Sequence, residues 1–175
     1  MNDFKALFDS DIARYGNSKV DRWTYKFLFY FRKVSACNNR FLLYYYRFRY
    51  LRICSKHGIE IDRHVKIGKG LYVGHPYNIT ISGAAILGNN INIHKGVTIG
   101  KENRGKRKGA PVIGNRVWIG VNSTIVGKIS IGDDVLVAPN SYVNCDIPAH
   151  SIVMGNPCKI ISKEDATESY IINLV

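Results

Sequence analysis

The feature that most constrains the fold of this chain is an aliphatic residue that returns every six positions. A period of six fits neither an α-helix, which repeats about every 3.6 residues, nor a plain strand, which alternates at every second residue. Short strands joined by tight corners repeat in this way when they wind into a parallel β-helix. We therefore predict that every repeat residue points to the axis of such a coil; the positions are Ile61, Ile67, Val73, Ile81, Leu87, Ile93, Ile99, Ile113, Ile119, Ile125, Ile131, Val137 and Val143.

The six-residue rhythm slips twice. Val73 and Ile81 are eight residues apart, and Ile99 and Ile113 are fourteen apart. A regular coil cannot hold extra residues inside its stack, so both segments are expected to leave it as loops. Insertions in repeat proteins tend to gather on the binding face, and these two loops are where we look for chemistry.

Glycine and proline divide the chain near residue 58. Residues 1–58 contain no proline and only two of the sixteen glycines, so helix breakers are nearly absent there. We predict an α-helical region of about three helices over residues 1–57 and a β-helix domain over residues 58–161. Residues 162–175 are expected to form a C-terminal tail or short strand.

Three asparagines and a serine are candidate helix boundaries in the first region. Asn17 or Ser18 is expected to cap the second helix, because a short polar side chain can accept hydrogen bonds from the free amides of the first turn. Asn38 and Asn39 mark the break before the third helix.

The chain is strongly basic, with a formal net charge of +12, and residues 1–58 carry twelve lysines and arginines against four acidic residues. Such a balance favours anionic partners. The four cysteines are scattered without a C-x-x-C pair, and the N-terminus has no long apolar run, so we expect a cytoplasmic protein with reduced thiols. The histidines and cysteines lack the spacing of metal ligands, and no metal is expected.

Aromatic and basic residues alternate densely over residues 44–52. The favoured interpretation is a helical cap that buries the aromatics against the end of the β-helix or against a sister subunit. The alternative is a face over residues 20–56 that contacts an anionic membrane. No nucleic-acid binding motif is present, and we expect no nucleic-acid partner.

His75 is the best candidate for a catalytic base. It lies in the first loop between Gly74 and Pro76. A neutral imidazole can remove a proton from a hydroxyl near neutral pH, and a carboxylate that accepts from its other nitrogen orients it. Glu60 comes fifteen residues earlier, close to one turn of the coil, and is the expected carboxylate. The plainer interpretation of His75 is a turn histidine without a role.

The second loop, residues 101–111, contains five basic residues and one acidic residue. One interpretation is a flexible arm that closes over a phosphorylated ligand. The other is a charged loop that only faces solvent.

Several motifs together resemble the serine acetyltransferase family of hexapeptide-repeat acyltransferases. The match extends over residues 58–161, and the spacing between the motifs agrees with the family as well as the residues within each motif. The motifs are GIEID at 58–62, IGKGLYVGHP at 67–76, GVTIG at 96–100, PVIGNRVWIG at 111–120 and GNPCKII at 155–161.

The resemblance implies a left-handed parallel β-helix that assembles as trimers, with acetyl-CoA held in a groove between neighbouring coils. His75 falls at the family's catalytic base and Glu60 at its acidic partner. The loop 101–111 falls at the family's flexible loop over the site. The resemblance places the cofactor-binding residues at Gly100, Lys101, Gly120, Val121, Ala138 and Pro139 in the pantetheine groove and at Lys159 near the CoA phosphates.

Two departures from the family pattern affect the acceptor. The family has an aspartate before the catalytic histidine, where this chain has Gly74, and an Arg-His pair where this chain has Gly109 and Ala110. Without these charged groups a site discriminates poorly in favour of an amino acid. We therefore expect an acetyl-CoA-dependent O-acetyltransferase that modifies a sugar or a surface-polysaccharide precursor. Serine O-acetylation for cysteine biosynthesis is the alternative, and a non-catalytic scaffold that binds anionic surfaces is a third.

Overall fold

The computed structural model describes residues 4–175, so residues 1–3 of the predicted helical region lie outside the described residues. The chain begins with three helices and continues as a stack of short strands. The helices are α1 (Phe4–Ala13), α2 (Arg22–Ala36) and α3 (Arg40–Ser55). Within residues 4–175 no helix combines the length and the apolar character needed to cross a bilayer.

Side-chain caps define where the second and third helices begin. The carboxylate of Asp21 accepts hydrogen bonds from the backbone amides of Trp23 and Thr24, and Asn39 does the same for the first turn of α3. The break at Asn39 is confirmed. The predicted cap at Asn17 or Ser18 is wrong, because the chain still makes turns there, with the amide of Ser18 donating to the carbonyl of Tyr15.

Residues 60–162 form three sheets that share one axis, which confirms the β-helix prediction. In each sheet a strand pairs in parallel with the equivalent strand of the next coil, apart from one antiparallel pair at the end. The five-stranded sheet contains β1 (Glu60–Ile61), β4 (Thr80–Ile81), β7 (Thr98–Gly100), β10 (Thr124–Val126) and β13 (Tyr142–Val143). The four-stranded sheet contains β2 (Lys66–Ile67), β5 (Ile86–Leu87), β8 (Val112–Ile113) and β11 (Ser130–Ile131). The six-stranded sheet contains β3 (Tyr72–Gly74), β6 (Asn92–His94), β9 (Val117–Ile119), β12 (Val135–Val137), β14 (Ser151–Met154) and β15 (Lys159–Ser162).

All thirteen residues of the six-residue rhythm are at least nine-tenths buried. The strand register explains the packing, since Ile125 lies between Ile99 of one coil and Val143 of the next. Each fully buried aliphatic side chain of this size stabilises the fold by about 1.5–3 kcal/mol. The two rhythm slips also appear as predicted, as connections that leave the strands at residues 75–79 and 101–111.

Two buried arginines join the helices to the first coils. Arg32 donates to the carboxylate of Asp11, at 2.7 and 2.8 Å, and to the carbonyls of Ile67 and Gly68. Arg14 donates to the carbonyl of Gly70 at 2.7 Å. Since buried charges are tolerated only when they are paired and hydrogen-bonded, this network fixes how α1 and α2 lie on the β-helix.

The C-terminal residues run back along the six-stranded sheet towards the helices. Asp134 is buried and accepts hydrogen bonds from the amide and hydroxyl of Thr167. Burial alone would raise the pKa of Asp134, but the hydrogen bonds from Thr167, His150 and Ala166 outweigh it and lower that pKa. At the far end the amide of Val175 donates to the side chain of Asn90.

The aromatic residues of α3 divide between the core and the surface. Tyr50 is buried and donates to the carbonyl of Ile61, whereas Phe41, Tyr44 and Phe48 are exposed. The prediction that this stretch buries its aromatics against the end of the β-helix is therefore wrong for its outer face, because α3 packs on α2 with its opposite side. Burial against a sister subunit stays a prediction.

Candidate active site

His75 follows β3 at the corner between the six-stranded and five-stranded sheets. Its side chain is exposed, and its φ of 50° lies in the left-handed region that few non-glycine residues adopt. The corner is held by the amide of Tyr77, which donates to the carbonyl of His75, and by the amide of Asn78, which donates to the carbonyl of His57. The fold thus presents the imidazole at the surface of a tightly fixed turn.

Glu60 lies in β1, beside Thr80 of the next coil, and its side chain is exposed. The strand register thus pairs Glu60 with Thr80, and Thr80 follows His75 by five residues along the chain. In residues 4–175, however, no hydrogen bond or ion pair joins the carboxylate of Glu60 to the imidazole of His75. The dyad stays a prediction.

A pocket of about 450 Å³ lies next to His75. The segment between α1 and α2 supplies Lys19 and Asp21, and the first turn of α2 supplies Trp23. The corner itself supplies Tyr77, and the next coil supplies His94. Sequence reasoning missed this pocket because one of its walls comes from the helical region, which carries none of the recognised motifs.

Two buried polar atoms on residues of this pocket have no partner among residues 4–175: the indole nitrogen of Trp23 and Nε2 of His94. Burial, and then the charge of the neighbouring His75, lowers the pKa of His94, so its ring is neutral over a wide pH range. Unpaired buried donors and acceptors are costly, and they favour a ligand that can pair with them.

His94 also accounts for the glycine before His75. The strand register places His94 beside Gly74, and a Cβ at Gly74 would come within 2.6 Å of Nδ1 of that imidazole. The ring of His94 packs on Trp118, with centroids 4.7 Å apart. An aspartate at position 74 therefore fits only if the side chain of His94 moves.

Four of the predicted cofactor-binding residues lie on the same edge of the coil as His75. Gly120 and Val121 follow β9, and Ala138 and Pro139 follow β12, at the ends of strands that are stacked above β3. Adjacent corners are tied together, as where the amide of Asn140 donates to the carbonyl of Val121.

Lys159 extends this edge, because it begins β15 opposite Met154, at the same end of the six-stranded sheet. From β3 to β15 the edge includes five strand spacings of about 4.8 Å, which gives a length of about 24 Å.

Gly100, Lys101 and the basic loop lie at a different corner, between the five-stranded and four-stranded sheets. Within one chain the loop is therefore not brought to His75. It folds as a small hairpin, with paired backbone bonds between Glu102 and Gly109 and an ion pair of 3.2 Å between Arg107 and Glu102. Its other cations are exposed.

The part of the chain from residue 4 onward contains no group of three or more His, Cys, Asp or Glu side chains that could hold a metal ion.

Comparison with known proteins gives one family and one architecture. A family model described as bacterial transferase hexapeptide (six repeats) matches residues 110–145. Serine acetyltransferase 2 of Arabidopsis thaliana is 36% identical over 130 residues, which cover 68% of this chain and 40% of that protein. Serine acetyltransferase of Helicobacter pylori is 37% identical over 107 residues, which cover 61% of this chain and 63% of that protein.

A solved structure of Neisseria gonorrhoeae serine acetyltransferase in complex with serine is also similar. It superimposes with a TM-score of 0.70 at 26% identity and covers 91% of this chain and 69% of that one. The chain spans less than two thirds of the length of the two curated relatives.

Proposed function

We propose a function for this chain from the premise that it belongs to the serine acetyltransferase family of hexapeptide-repeat transferases. The proposed reaction moves the acetyl group of acetyl-CoA to an acceptor hydroxyl. The observation that carries the proposal is the position of His75, exposed at a fixed corner beside a pocket and at one end of a straight edge of stacked corners.

In the proposed mechanism His75 is the general base. Its neutral imidazole takes the proton of the acceptor hydroxyl as the oxygen attacks the thioester carbon. The tetrahedral intermediate then collapses, the C–S bond breaks, and the imidazolium returns the proton to the sulfur of CoA. The role proposed for Glu60 is to orient and stabilise the imidazolium once substrate is bound, because hydrogen bonds of this kind often form only in the substrate complex.

Acetyl-CoA is proposed to lie along the edge from His75 to Lys159. Its thioester would lie near the imidazole, its extended pantetheine arm beside Gly120, Val121, Ala138 and Pro139, and its phosphates near Lys159. A pantetheine arm with a nucleotide at its far end has a length comparable to this edge. The lysine supplies a positive charge where the phosphates would be.

A homotrimer is proposed because it would complete this site. One chain leaves Gly100, Lys101 and the basic loop at another corner, and a neighbouring coil is the element that could bring them to the edge that carries His75. Closed symmetric assemblies are the usual result for such repeated surfaces.

Serine is the acceptor that the named relatives support best. The pocket also contains two charged side chains from the segment before α2. Lys19 is a cation suited to a carboxylate, and Asp21 is an anion suited to an ammonium group. Burial tends to raise the pKa of Asp21, but hydrogen bonds from Thr24 and Trp23 lower it overall, so the carboxylate is ionised at neutral pH.

A sugar hydroxyl is the second candidate acceptor. Gly74 carries no charge beside the base, and the pocket wall presents aromatic rings from Trp23 and Tyr77 together with unpaired polar atoms. Flat rings with polar groups at their rims are suited to an uncharged, hydroxyl-rich ligand.

The experiment that separates the two acceptors is release of CoA thiol from acetyl-CoA, measured with L-serine and with a panel of nucleotide sugars. We expect saturable release with L-serine. Lys19→Met should raise the KM for serine because it removes the partner of the carboxylate, while Lys69→Met, an exposed lysine on another turn, should leave it unchanged. Release with a nucleotide sugar and none with serine would make the sugar the acceptor, and no release with any hydroxyl compound would favour the scaffold.

A further inference from the structure

The outer face of α3 exposes an ordered row of large aromatic side chains. Phe41, Tyr44, Tyr45 and Phe48 recur at spacings of three and four residues, so they lie along one side of the helix. Phe41 is 89% exposed and Tyr44 is 78% exposed. Rings of this size normally lie in a core or an interface, and a contiguous exposed row marks a surface that meets another apolar phase.

The charge that α2 and α3 place around this row has a single sign. Residues 22–56 contain nine lysines and arginines and no aspartate or glutamate. Arg32 is buried against Asp11, but Arg40, Arg47, Arg49 and Arg52 of α3 are exposed. The aromatic row is therefore flanked by cations, without a nearby carboxylate on α2 or α3 to neutralise them.

A shallow groove of about 430 Å³ adjoins the same face. Four cations line it, together with Phe48, Trp23 and Ile53; they are Lys26, Arg49, Arg52 and Lys56. Arginine and lysine side chains grouped around an apolar floor are suited to a phosphate that is attached to a hydrocarbon group.

We propose that the α3 face, meaning the exposed side chains of residues 40–56 with Lys26 of α2, docks the protein on the surface of an anionic lipid bilayer. The aromatic rings enter the interfacial region, and the flanking arginines and lysines contact lipid phosphates. Amphipathic helices with an aromatic side and cationic flanks bind membranes in this way. The contact is peripheral, in agreement with helices too short and too charged to cross a bilayer.

Charge argues for a bilayer and against an isologous contact with a second copy of this chain. An isologous contact would bring two identical faces together, and each has an excess of positive charge, with no acidic residue among residues 22–56 to pair with the cations of the other. An anionic leaflet neutralises every one of these cations at once, since its negative surface potential attracts basic residues that lie near it.

Vesicle sedimentation with the full chain tests the proposal. Sucrose-loaded vesicles of phosphatidylcholine and phosphatidylglycerol, in a two-to-one ratio, are compared with vesicles of phosphatidylcholine alone. We expect the protein to sediment with the anionic vesicles and to dissociate at high salt. Arg40→Gln combined with Arg47→Gln should weaken binding by about tenfold or more, because each basic residue near an anionic surface contributes several-fold.

The aromatic variant Phe41→Ser with Tyr44→Ser should also weaken binding by about tenfold, because it removes the rings that enter the interface. Both side chains are mostly exposed, so the melting temperature should stay unchanged. The matched control is Lys66→Gln with Lys163→Gln, which removes two exposed charges elsewhere and should bind like wild type.

Three results would overturn the proposal. The first is a wild-type protein that stays in the supernatant with anionic vesicles. The second is an equal loss of binding to anionic vesicles in the control and in the α3 variants, or an aromatic variant that binds these vesicles like wild type. The third is a change of oligomeric state in the α3 variants by analytical ultracentrifugation, which would make this face a contact between copies of the chain.

Discussion

Replacing His75 with alanine is expected to lower kcat for acetyl transfer by about 10²–10⁴, the usual contribution of a general base. The side chain is exposed at a corner whose fixing hydrogen bonds use backbone atoms, so its loss should leave the fold and its melting temperature intact. Initial rates of CoA thiol release at saturating acceptor, with purified wild-type and variant protein, measure the effect.

Glu60→Gln is the graded comparison for this result. No hydrogen bond joins Glu60 to His75 in the structure, so the glutamine variant should lose less activity than the alanine variant of His75. Turnover close to wild type in His75→Ala would remove this residue from the mechanism. A loss in Glu60→Gln as large as that in His75→Ala would show that the two side chains act as one unit.

Ile125→Asp is expected to abolish the folded state. Ile125 is completely buried between the coils above and below it. The substitution forfeits about 1.5–3 kcal/mol of apolar burial. It also places an unpaired charge in the core, which costs several kcal/mol more. Together these losses approach the entire stability of a typical domain, about 5–15 kcal/mol. The yield of folded protein and its urea unfolding curve provide the measurement.

Ile125→Val is the matched control, because it removes one methylene from the same side chain and should lower the free energy of unfolding by only about 0.5–1.5 kcal/mol. A normally folded Ile125→Asp protein with an unchanged unfolding midpoint would mean that residue 125 does not face the axis of the coil. The register of the five-stranded sheet would then be wrong.

Most of the β-helix could be predicted from the sequence because its core depends on one short repeat. Each buried aliphatic residue, such as Ile119, contacts its equivalents one coil away, so the period of the sequence is also the period of the structure. The loops at residues 75–79 and 101–111 were predictable for the same reason, as interruptions of that period.

The pocket beside His75 could not be predicted in this way. Lys19, Asp21 and Trp23 come from a segment without a repeat, and its position depends on the buried contacts of Arg14 and Arg32 with the first coils. His94 lies outside every motif that the sequence shares with the family, yet it is half-buried beside the pocket. The signal that could have placed it is the strand register, since His94 is the coil neighbour of Gly74.

The helical region shows the limit of pattern reading in another way. Aromatic residues at helical spacing usually indicate a core, and for Phe27, Phe31 and Tyr50 they do. On α3 the same spacing continues around the helix, and the outer rings have nothing from this chain to cover them. Spacing identifies the face of a helix, but it does not identify what that face contacts.

The most direct test of the account is calorimetric titration of the purified chain with acetyl-CoA. We expect saturable binding to the edge that runs from His75 to Lys159. Ala138→Trp should abolish it by filling the half-exposed middle of that edge, while Ala149→Trp, an exposed position at another corner, should bind normally. Absence of saturable binding to the wild-type protein, or full binding by Ala138→Trp, would contradict the account.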